Sequence, residues 1–384
     1  MKEEQRIRVC HFVSGDLWAG VEVMEFQLLK GLKVYEDLDL SVVVLNRGRF
    51  AREIENIGIP VDVVDETKFG FLQLLERVKA LIKKKRPDVI HCHFHKLNIL
   101  ALLATHMGKT AFLIGTQHGL PELVNRKWNL KYFALNRINL FILSRWFRGT
   151  VAVSNDVRKA LLEQYGFTEK RTFLIYNGTQ ESDAPIRERT GKDFTVGAAG
   201  RFFPVKDFPL MVEIARNAVE KESGIRFEIA GDGPEKDRVA EMIRRHGIEK
   251  SFLLRGFIED VASFYKEIDV YMNTSVHKGI PMSVLEAMAQ GLPVIAPDVG
   301  GLGEIIEDGV QGFLVKGRDP NDFADRCVRL YKDEQLRQRM GLAARKRMET
   351  VFSHSRMAHN YHELYRLVAA PSSVIGDKAY DCRV

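Results

Sequence analysis

The stretch FTVGAAGRFFPVKDFPLMVEIARNAVEKESGIRFEIAGDGP, residues 194–234, holds an apolar run, a glycine turn, a helical pattern, a second apolar run and a second glycine turn. Apolar runs too continuous to alternate are strands buried on both faces, and a helix between two of them makes a βαβ unit of a parallel sheet. The same grammar extends forward through SFLLRGF (251–257), IDVYMN (268–273), PVIAP (293–297) and GFLV (312–315). It extends backward through IRVCHFV (7–13), LSVVVL (40–45), VDVV (61–64), DVIHCHF (88–94), AFLIGT (111–116), TVAVS (150–154) and TFLIY (172–176). The fold class is therefore α/β. The polar gap 179–193, TQESDAPIRERTGKD, is the best place for a linker between two halves, which are expected to be architecturally alike.

With 384 residues the chain can bury two separate cores. Hydrophobic content of 45% and charged content of 28% exclude a disordered or fibrous chain. Residues 1–15 read as a charged start running into a strand, and no segment has enough consecutive apolar residues to span a bilayer. Four scattered cysteines, Cys10, Cys92, Cys327 and Cys382, form no CxxC pair, so ordinary thiols in a reducing cytoplasm are expected.

The net charge of +6 is modest, and its placement carries more information. Residues 126–148, RKWNLKYFALNRINLFILSRWFR, interleave Lys and Arg with aromatics and contain no acid. Such a stretch fits a peripheral contact with an anionic membrane, and equally an amphipathic helix packed on a sheet. RNA binding has less support, because the signatures of RNA modules are absent; no nucleic-acid partner is expected.

Several familiar motifs fail on inspection. MGKT (107–110) would need a glycine where Leu103 stands to be a phosphate loop, and no GxGxxG or GxSxG occurs. Asp37-Leu-Asp39 follows a helical pattern and reads as a solvated turn. His91, His93 and His95 alternate, which on a continuing strand would place three imidazoles on one face, at the rim of a cleft with one touching substrate. Alternation sets no tetrahedral geometry and neither HExxH nor a finger spacing is present, so no metal is expected.

The second half carries the chemistry. Gly200 ends a strand, and Arg201 and Lys206 follow across a turn into a helix, an arrangement that can clamp a diphosphate. Gly231 and Gly233 in GDGPE allow close backbone approach, and RGFIEDV repeats the glycine after a strand, followed by Phe257. In SVHKGIPMSVLEAMAQGLPVIAPDVGG (275–301), Gly279 precedes Pro281, which can start a helix without wasting a donor. The N–H groups near Met282, Ser283 and Val284 can then face a phosphate, Leu285 follows as a further donor-binding residue, and Glu286 can accept sugar hydroxyls. Open parallel sheets bind ligands beyond the carboxyl ends of their strands, so the site is expected between the halves.

These motifs, with QHG (117–119), VAVSNDV (151–157) and YNG (176–178), make nearly the whole chain resemble the retaining GT-B glycosyltransferases of family 4, the group 1 type. The resemblance implies two Rossmann-like domains with parallel sheets facing a central cleft. Residues 1–180 would bind the acceptor, 181–352 a nucleotide diphosphate sugar, 353–370 would cross back as a helix, and 371–384 would be a flexible tail. It implies that Arg201 and Lys206 sit on the donor diphosphate, that Glu286 holds the ribose, that His118 contacts the donor sugar, and that Gly20 approaches the diphosphate. No cofactor beyond the donor is implied; the basic aromatic stretch 126–148 leads to the expectation of a cell-envelope or lipid-linked glycan acceptor.

The sequence departs from the family pattern at Lys278, where the first acid of a paired-glutamate motif would stand, eight positions before Glu286. A cation has no acceptor lone pair for a sugar hydroxyl. Three accounts follow: a changed constellation that still works, a cation pairing with a uronic acid donor, or loss of turnover with binding retained. The alternatives at the level of function are a sugar-nucleotide epimerase and a silent sugar-nucleotide-binding protein.

Overall fold

A computed structural model describes residues 6–119, 130–182, 194–276 and 279–370, of which 130–133 are described by their backbone alone. The chain divides into two compact units: residues 1–178 with 354–384, and residues 179–353.

In the first unit the strands are β1 (Ile7–Val13), β2 (Leu38–Val44), β3 (Val61–Val63), β4 (Val89–Cys92), β5 (Phe112–Gln117), β6 (Gly149–Ala152) and β7 (Thr172–Leu174). They form one parallel sheet in the order β3-β2-β1-β4-β5-β6-β7. β4 and β6 are buried along their whole length, which accounts for their unbroken apolar character. The order reverses direction between β1 and β4, and in the register there His11 lies opposite His91. A crevice beyond the strand ends at such a reversal is where open sheets bind ligands.

The helix His354–Ala369, late in sequence, belongs to this unit. It packs along the helix Gly20–Leu32, where a Cβ added to Gly31 would come within 2.6 Å of the Ala358 Cβ. His362 stacks on Tyr35 at 3.9 Å between centroids and meets both carboxylate oxygens of Asp37 at 2.9 Å. Asp37, expected as part of a solvated turn, thus anchors a helix that is distant in sequence.

The second unit contains β8 (Phe194–Ala199), β9 (Ile225–Ala230), β10 (Phe252–Gly256), β11 (Val270–Met272), β12 (Val294–Pro297) and β13 (Gly312–Val315). Their parallel order, β10-β9-β8-β11-β12-β13, repeats the pattern of the first unit, with the reversal between β8 and β11. Every residue of β8 and β12 is buried. Consecutive helices follow, Pro320–Lys332 and Glu334–Val351, each opened by an aspartate, Asp319 or Asp333, that accepts from a backbone N–H. Thr179 forms a bridge with Ser353. The remainder of the expected linker, from residue 183 to 193, and the tail 371–384 lie outside the described residues.

One expectation is corrected. β4 ends at Cys92, Phe94 caps a helix, and His95 is the first residue of His95–Ala104, so His91, His93 and His95 do not share a strand face. The extended run ends because the backbone turns into the helix immediately after the buried strand, and His95 leaves the group.

The tight Gly31 contact predicts that Gly31→Val overpacks the helix pair and costs about 1–3 kcal/mol. Thermal unfolding should show a melting temperature several degrees lower, whereas Gly20→Ala, where an added Cβ meets nothing within 4 Å, should change it far less.

Candidate donor site and the buried histidine network

At the carboxyl ends of β8, β9 and β10, on one side of the sheet's reversal, three turns are bound to one another through their backbones. Gly200 N–H donates to the Ala230 carbonyl at 3.0 Å, Phe202 N–H to the Asp232 carbonyl at 2.9 Å, and Gly231 N–H to the Gly256 carbonyl at 2.7 Å. Glu235 N–H returns to the Phe202 carbonyl at 3.1 Å. A Cβ on Gly231 would stand 1.9 Å from the Gly200 oxygen, and one on Gly233 would stand 2.8 Å from the Phe202 nitrogen. Both glycines also hold positive φ, 149° and 151°, so conformation and space exclude a side chain together.

The turn after Gly200 carries the two cations. Arg201 is exposed and stacks its guanidinium over Phe203 at 4.4 Å. Lys206 ends a short 3-10 turn, Pro204–Lys206, and Asp207 after it takes the left-handed conformation at φ 46°. That turn is held on both sides: Thr274 donates its hydroxyl to the Lys206 carbonyl at 2.8 Å, and Val276 N–H donates to the Val205 carbonyl at 3.0 Å. Arg318 joins the same strands of chain, donating to Asp207 and to the Thr274 carbonyl, each at 2.6 Å. Burial depresses the Lys206 ammonium below the ordinary lysine range, with Glu286 opposing the shift.

Glu286 lies on the helix Met282–Ala289, where Tyr265 donates its hydroxyl to Oε2 at 2.9 Å. Burial raises the Glu286 carboxyl, while the Tyr265 hydrogen bond and the charge of Lys206 act against it. One carboxyl oxygen is thus spoken for, and the group is electrostatically coupled to the lysine across the site.

The helix entrance differs from expectation. Pro281 stands at the cap rather than inside the helix, and the N–H groups of Val284 and Leu285 both turn to its carbonyl, at 3.1 and 3.4 Å. Their side chains are fully buried. The anion-facing role expected of Met282, Ser283 and Val284 is therefore narrowed to Met282 and Ser283, because a tight first turn spends the Val284 N–H on the Pro281 carbonyl, while Leu285 makes the first ordinary α-helical bond. Gly279 and Ile280, just before it, are buried. Phe257 projects from the end of β10 with 71% of its surface exposed. Lys278 lies outside the described residues.

In the first unit, Gly20 opens a helix and is exposed. His118 follows β5 and meets His93, with Nε2 3.2 Å from His93 Nδ1. Behind His93 is a group that sequence reasoning did not assemble. Glu25, fully buried, approaches His93 Nε2 with Oε2 at 2.8 Å and pairs with His11 Nδ1 through Oε1. His11 Nε2 lies 3.3 Å from the Tyr365 hydroxyl, which is 2.7 Å from His91 Nδ1. His91 Nε2 reaches the Thr116 hydroxyl at 2.8 Å, and Thr116 reaches Tyr361 at 2.9 Å.

Burial alone would raise the Glu25 carboxyl, but His93 and His11 hold it well below the usual range. Burial, with His93 and His11 nearby, drives His91 well below the ordinary histidine value. The nitrogens of His11, His91 and His93 come within 4.8 Å of one another, close enough to share an ion. His91, however, commits both nitrogens to hydroxyls and His11 pairs with Glu25, whereas His93 Nε2 and Glu25 Oε2 approach to 2.8 Å as an ion-pair contact without hydrogen-bond geometry; two of the three rings are thus taken up by hydrogen bonds. A signal for the network existed in the sequence: histidines in two buried strands, and Tyr361 and Tyr365 four apart on a helix.

Comparison with known proteins matches residues 18–182 to the profile described as Glycosyltransferase Family 4 and residues 179–347 to that described as Glycosyl transferases group 1. A poly(ribitol-phosphate) alpha-N-acetylglucosaminyltransferase of Staphylococcus aureus is 28% identical over 56% of this chain, and that match spans 43% of the relative's own length. An Escherichia coli UDP-Gal:alpha-D-GlcNAc-diphosphoundecaprenol alpha-1,3-galactosyltransferase is 22% identical over 86% of this chain and 89% of its own. The crystal structure of Anabaena HepE in complex with UDP and glucose has the same fold, with a TM-score of 0.81, 21% identity, and coverage of 94% of this chain and 100% of that one.

Next to the histidine network, buried Glu22 has its carboxyl raised to about 7 by desolvation and Asp16, with backbone hydrogen bonds and His93 opposing. A folded-state value above the unfolded one means that the folded protein retains the proton longer. The stability this contributes is full below the unfolded value of 4.5 and is lost as pH rises through about 7. The whole change is about 3 kcal/mol at roughly 1.4 kcal/mol per unit. Urea unfolding of Glu22→Gln should therefore show a flatter stability profile than wild type between pH 5 and 8; an unchanged slope would reject the assignment.

Proposed function

The chain belongs to the group 1, family 4 glycosyltransferases, and from that membership we propose that it transfers a sugar, with retained anomeric configuration, from a nucleotide diphosphate sugar to an acceptor hydroxyl. The observation that carries the reading is the trio of bonded glycine turns at the carboxyl ends of β8, β9 and β10, with Lys206 on the first of them and near enough to Glu286 for each charge to act on the other. Backbone without side chains lets a diphosphate approach closely, and a cation held by the surrounding turns can neutralise it without reorganising.

In this reading Arg201 and Lys206 stabilise the charge that builds on the departing diphosphate. The N–H groups of Met282 and Ser283 face the same anion, Glu286 holds the ribose, and exposed Phe257 offers a ring to the nucleobase. His118 contacts the donor sugar, and departing phosphate and incoming hydroxyl share one face of it. The chemistry needs no metal, because these cations do the neutralising.

Two of the relatives are named for transfer to poly(ribitol-phosphate) and to GlcNAc-diphosphoundecaprenol, which supports an envelope or lipid-linked glycan acceptor here. The helix Leu130–Trp146 supports a peripheral membrane contact: Leu135, Ile138 and Phe141 are exposed at three-residue spacing, flanked by exposed Arg137 and Arg145. Among the described residues no helix is long and apolar enough to cross a membrane. Replacing the three apolar residues by serine should release the protein from phosphatidylglycerol vesicles in a flotation assay; undiminished binding would remove this contact.

The donor is tested by a thermal-shift panel of UDP-, GDP- and ADP-sugars, uronic acids included because Lys278 would pair with a carboxylate. Product analysis of the stabilising donor separates transfer from epimerisation. Lys206→Ala should then lower kcat by about 10²–10³ with the melting temperature nearly unchanged. A variant as active as wild type would overturn the diphosphate assignment.

A further inference from the structure

The first unit has a second concavity, at the edge of its sheet opposite the carboxyl ends where His118 stands. A cavity of about 830 Å³ opens at the amino ends of β1, β4 and β5, with Ile7, Pro87, Ala111 and Phe112 among its walls. Six cations line it: Arg6, Arg8, Lys79, Lys83, Arg86 and Lys109. The one carboxylate among the lining residues, Asp88, is committed to Arg8, whose Nη2, Nε and backbone N–H donate to it at 2.7, 3.0 and 2.9 Å. All the lining residues belong to the first unit.

Lys79 is taken up by Glu76 at 2.8 Å, but Arg6, Lys83, Arg86 and Lys109 are exposed, and their side chains make no ion pair or hydrogen bond among the described residues. Lys83 and Arg86 stand at the end of the helix Phe71–Lys85. A helix end supplies only about half a negative charge, so most of theirs is left uncompensated. Arg6 precedes β1 and Lys109 precedes β5, both outside any helix. Like charges gathered without counter-charge repel one another, and an anion bound among them removes that cost.

Lys109 belongs to MGKT (107–110), the motif that fails as a phosphate loop for want of a glycine at Leu103, and the backbone fails in the same way. Gly108 N–H goes to the Thr105 hydroxyl at 3.1 Å, and the N–H groups of Lys109 and Thr110 go to the Thr105 carbonyl at 3.0 and 3.4 Å. The donors that a phosphate loop turns to its ligand are spent inside this loop. An anion here is therefore held by side-chain cations.

We infer that this cavity is a binding site for an anion carrying at least two phosphate groups, separate from the donor site of the second unit and independent of that reading. Four uncompensated cations match two phosphates at about −1.5 to −2 each near neutral pH. The volume falls within the about 300–1,000 Å³ of small-molecule sites and has room for both groups. A soluble diphosphate and a lipid headgroup with two phosphates share this chemistry. The loop also meets the end of the helix Leu130–Trp146, where a Cβ added to Gly108 would stand 3.7 Å from the Trp146 carbonyl oxygen, so a lipid source is tested beside a soluble one.

The test uses the full chain carrying Arg201→Ala and Lys206→Ala, so that pyrophosphate drawn to the second unit's cations does not enter the reading. Isothermal titration with inorganic pyrophosphate should show one site, whose dissociation constant rises about tenfold or more in Lys83→Ala/Lys109→Ala. Both lysines are exposed, so this variant keeps the fold. Lys250→Ala/Lys346→Ala removes the same charge from exposed positions of the second unit and should leave binding within about twofold. Flotation with phosphatidylcholine vesicles containing cardiolipin, a lipid with two headgroup phosphates, compares the same two variants, with phosphatidylglycerol at equal phosphate content as the one-phosphate reference. Flotation lost in the cavity variant alone assigns a lipid headgroup; pyrophosphate binding lost with flotation unchanged assigns a soluble ligand. The inference is overturned if the cavity variant and the control behave alike toward both probes, or if orthophosphate and phosphatidylglycerol serve as well as pyrophosphate and cardiolipin.

Discussion

At Gly231 the backbone passes so close to the carbonyl of Gly200 that a β-carbon would overlap it, 1.9 Å from the oxygen. Much of the second unit's site follows from that approach. It brings the turn after β8 against the turn after β9, lets Phe202 and Asp232 exchange a backbone hydrogen bond, and leaves a stretch of bare backbone beside Lys206. A side chain at Gly231 would separate the turns, and the lysine would lose the low-dielectric surroundings that depress its ammonium and sharpen its attraction for an anion.

The first unit answers a different constraint. The helix His354–Ala369 brings the hydroxyls of Tyr361 and Tyr365 to the histidines at the β1–β4 junction, where the buried polar groups would otherwise lack partners. Buried polar groups are costly when unpaired and rigid when satisfied. The network therefore does two things at once: it fastens a sequence-distant helix to the sheet, and it holds His93 against His118. Asp37 and His362 add a second fastening near the rim.

Legibility differed by element. The thirteen apolar runs read as strands each contain a strand among the described residues, because burial on both faces of a parallel sheet leaves a continuous hydrophobic signal. The glycine turns were equally visible, since close approach and positive φ leave one residue type available. The helix entrance at Pro281 is less legible: a helical pattern does not reveal that the first turn tightens and spends the N–H of Val284 on the Pro281 carbonyl. The histidine alternation was read on the wrong element, because a period-two pattern continues past the point where the strand itself stops at Cys92.

By itself the sequence determined the α/β class, the two runs of βαβ units, the placement of glycines after strands, and the pair of cations next to them. These are local facts, carried by hydrophobic period and by the φ values that only glycine tolerates. The tertiary structure alone decided that His11 faces His91 across β1 and β4, that Glu25 lies between His11 and His93, and that Tyr365, more than 350 positions from His11, completes the network. Contacts of that kind arise from sheet order and helix docking. No periodicity along the chain encodes which buried polar side chains will find one another.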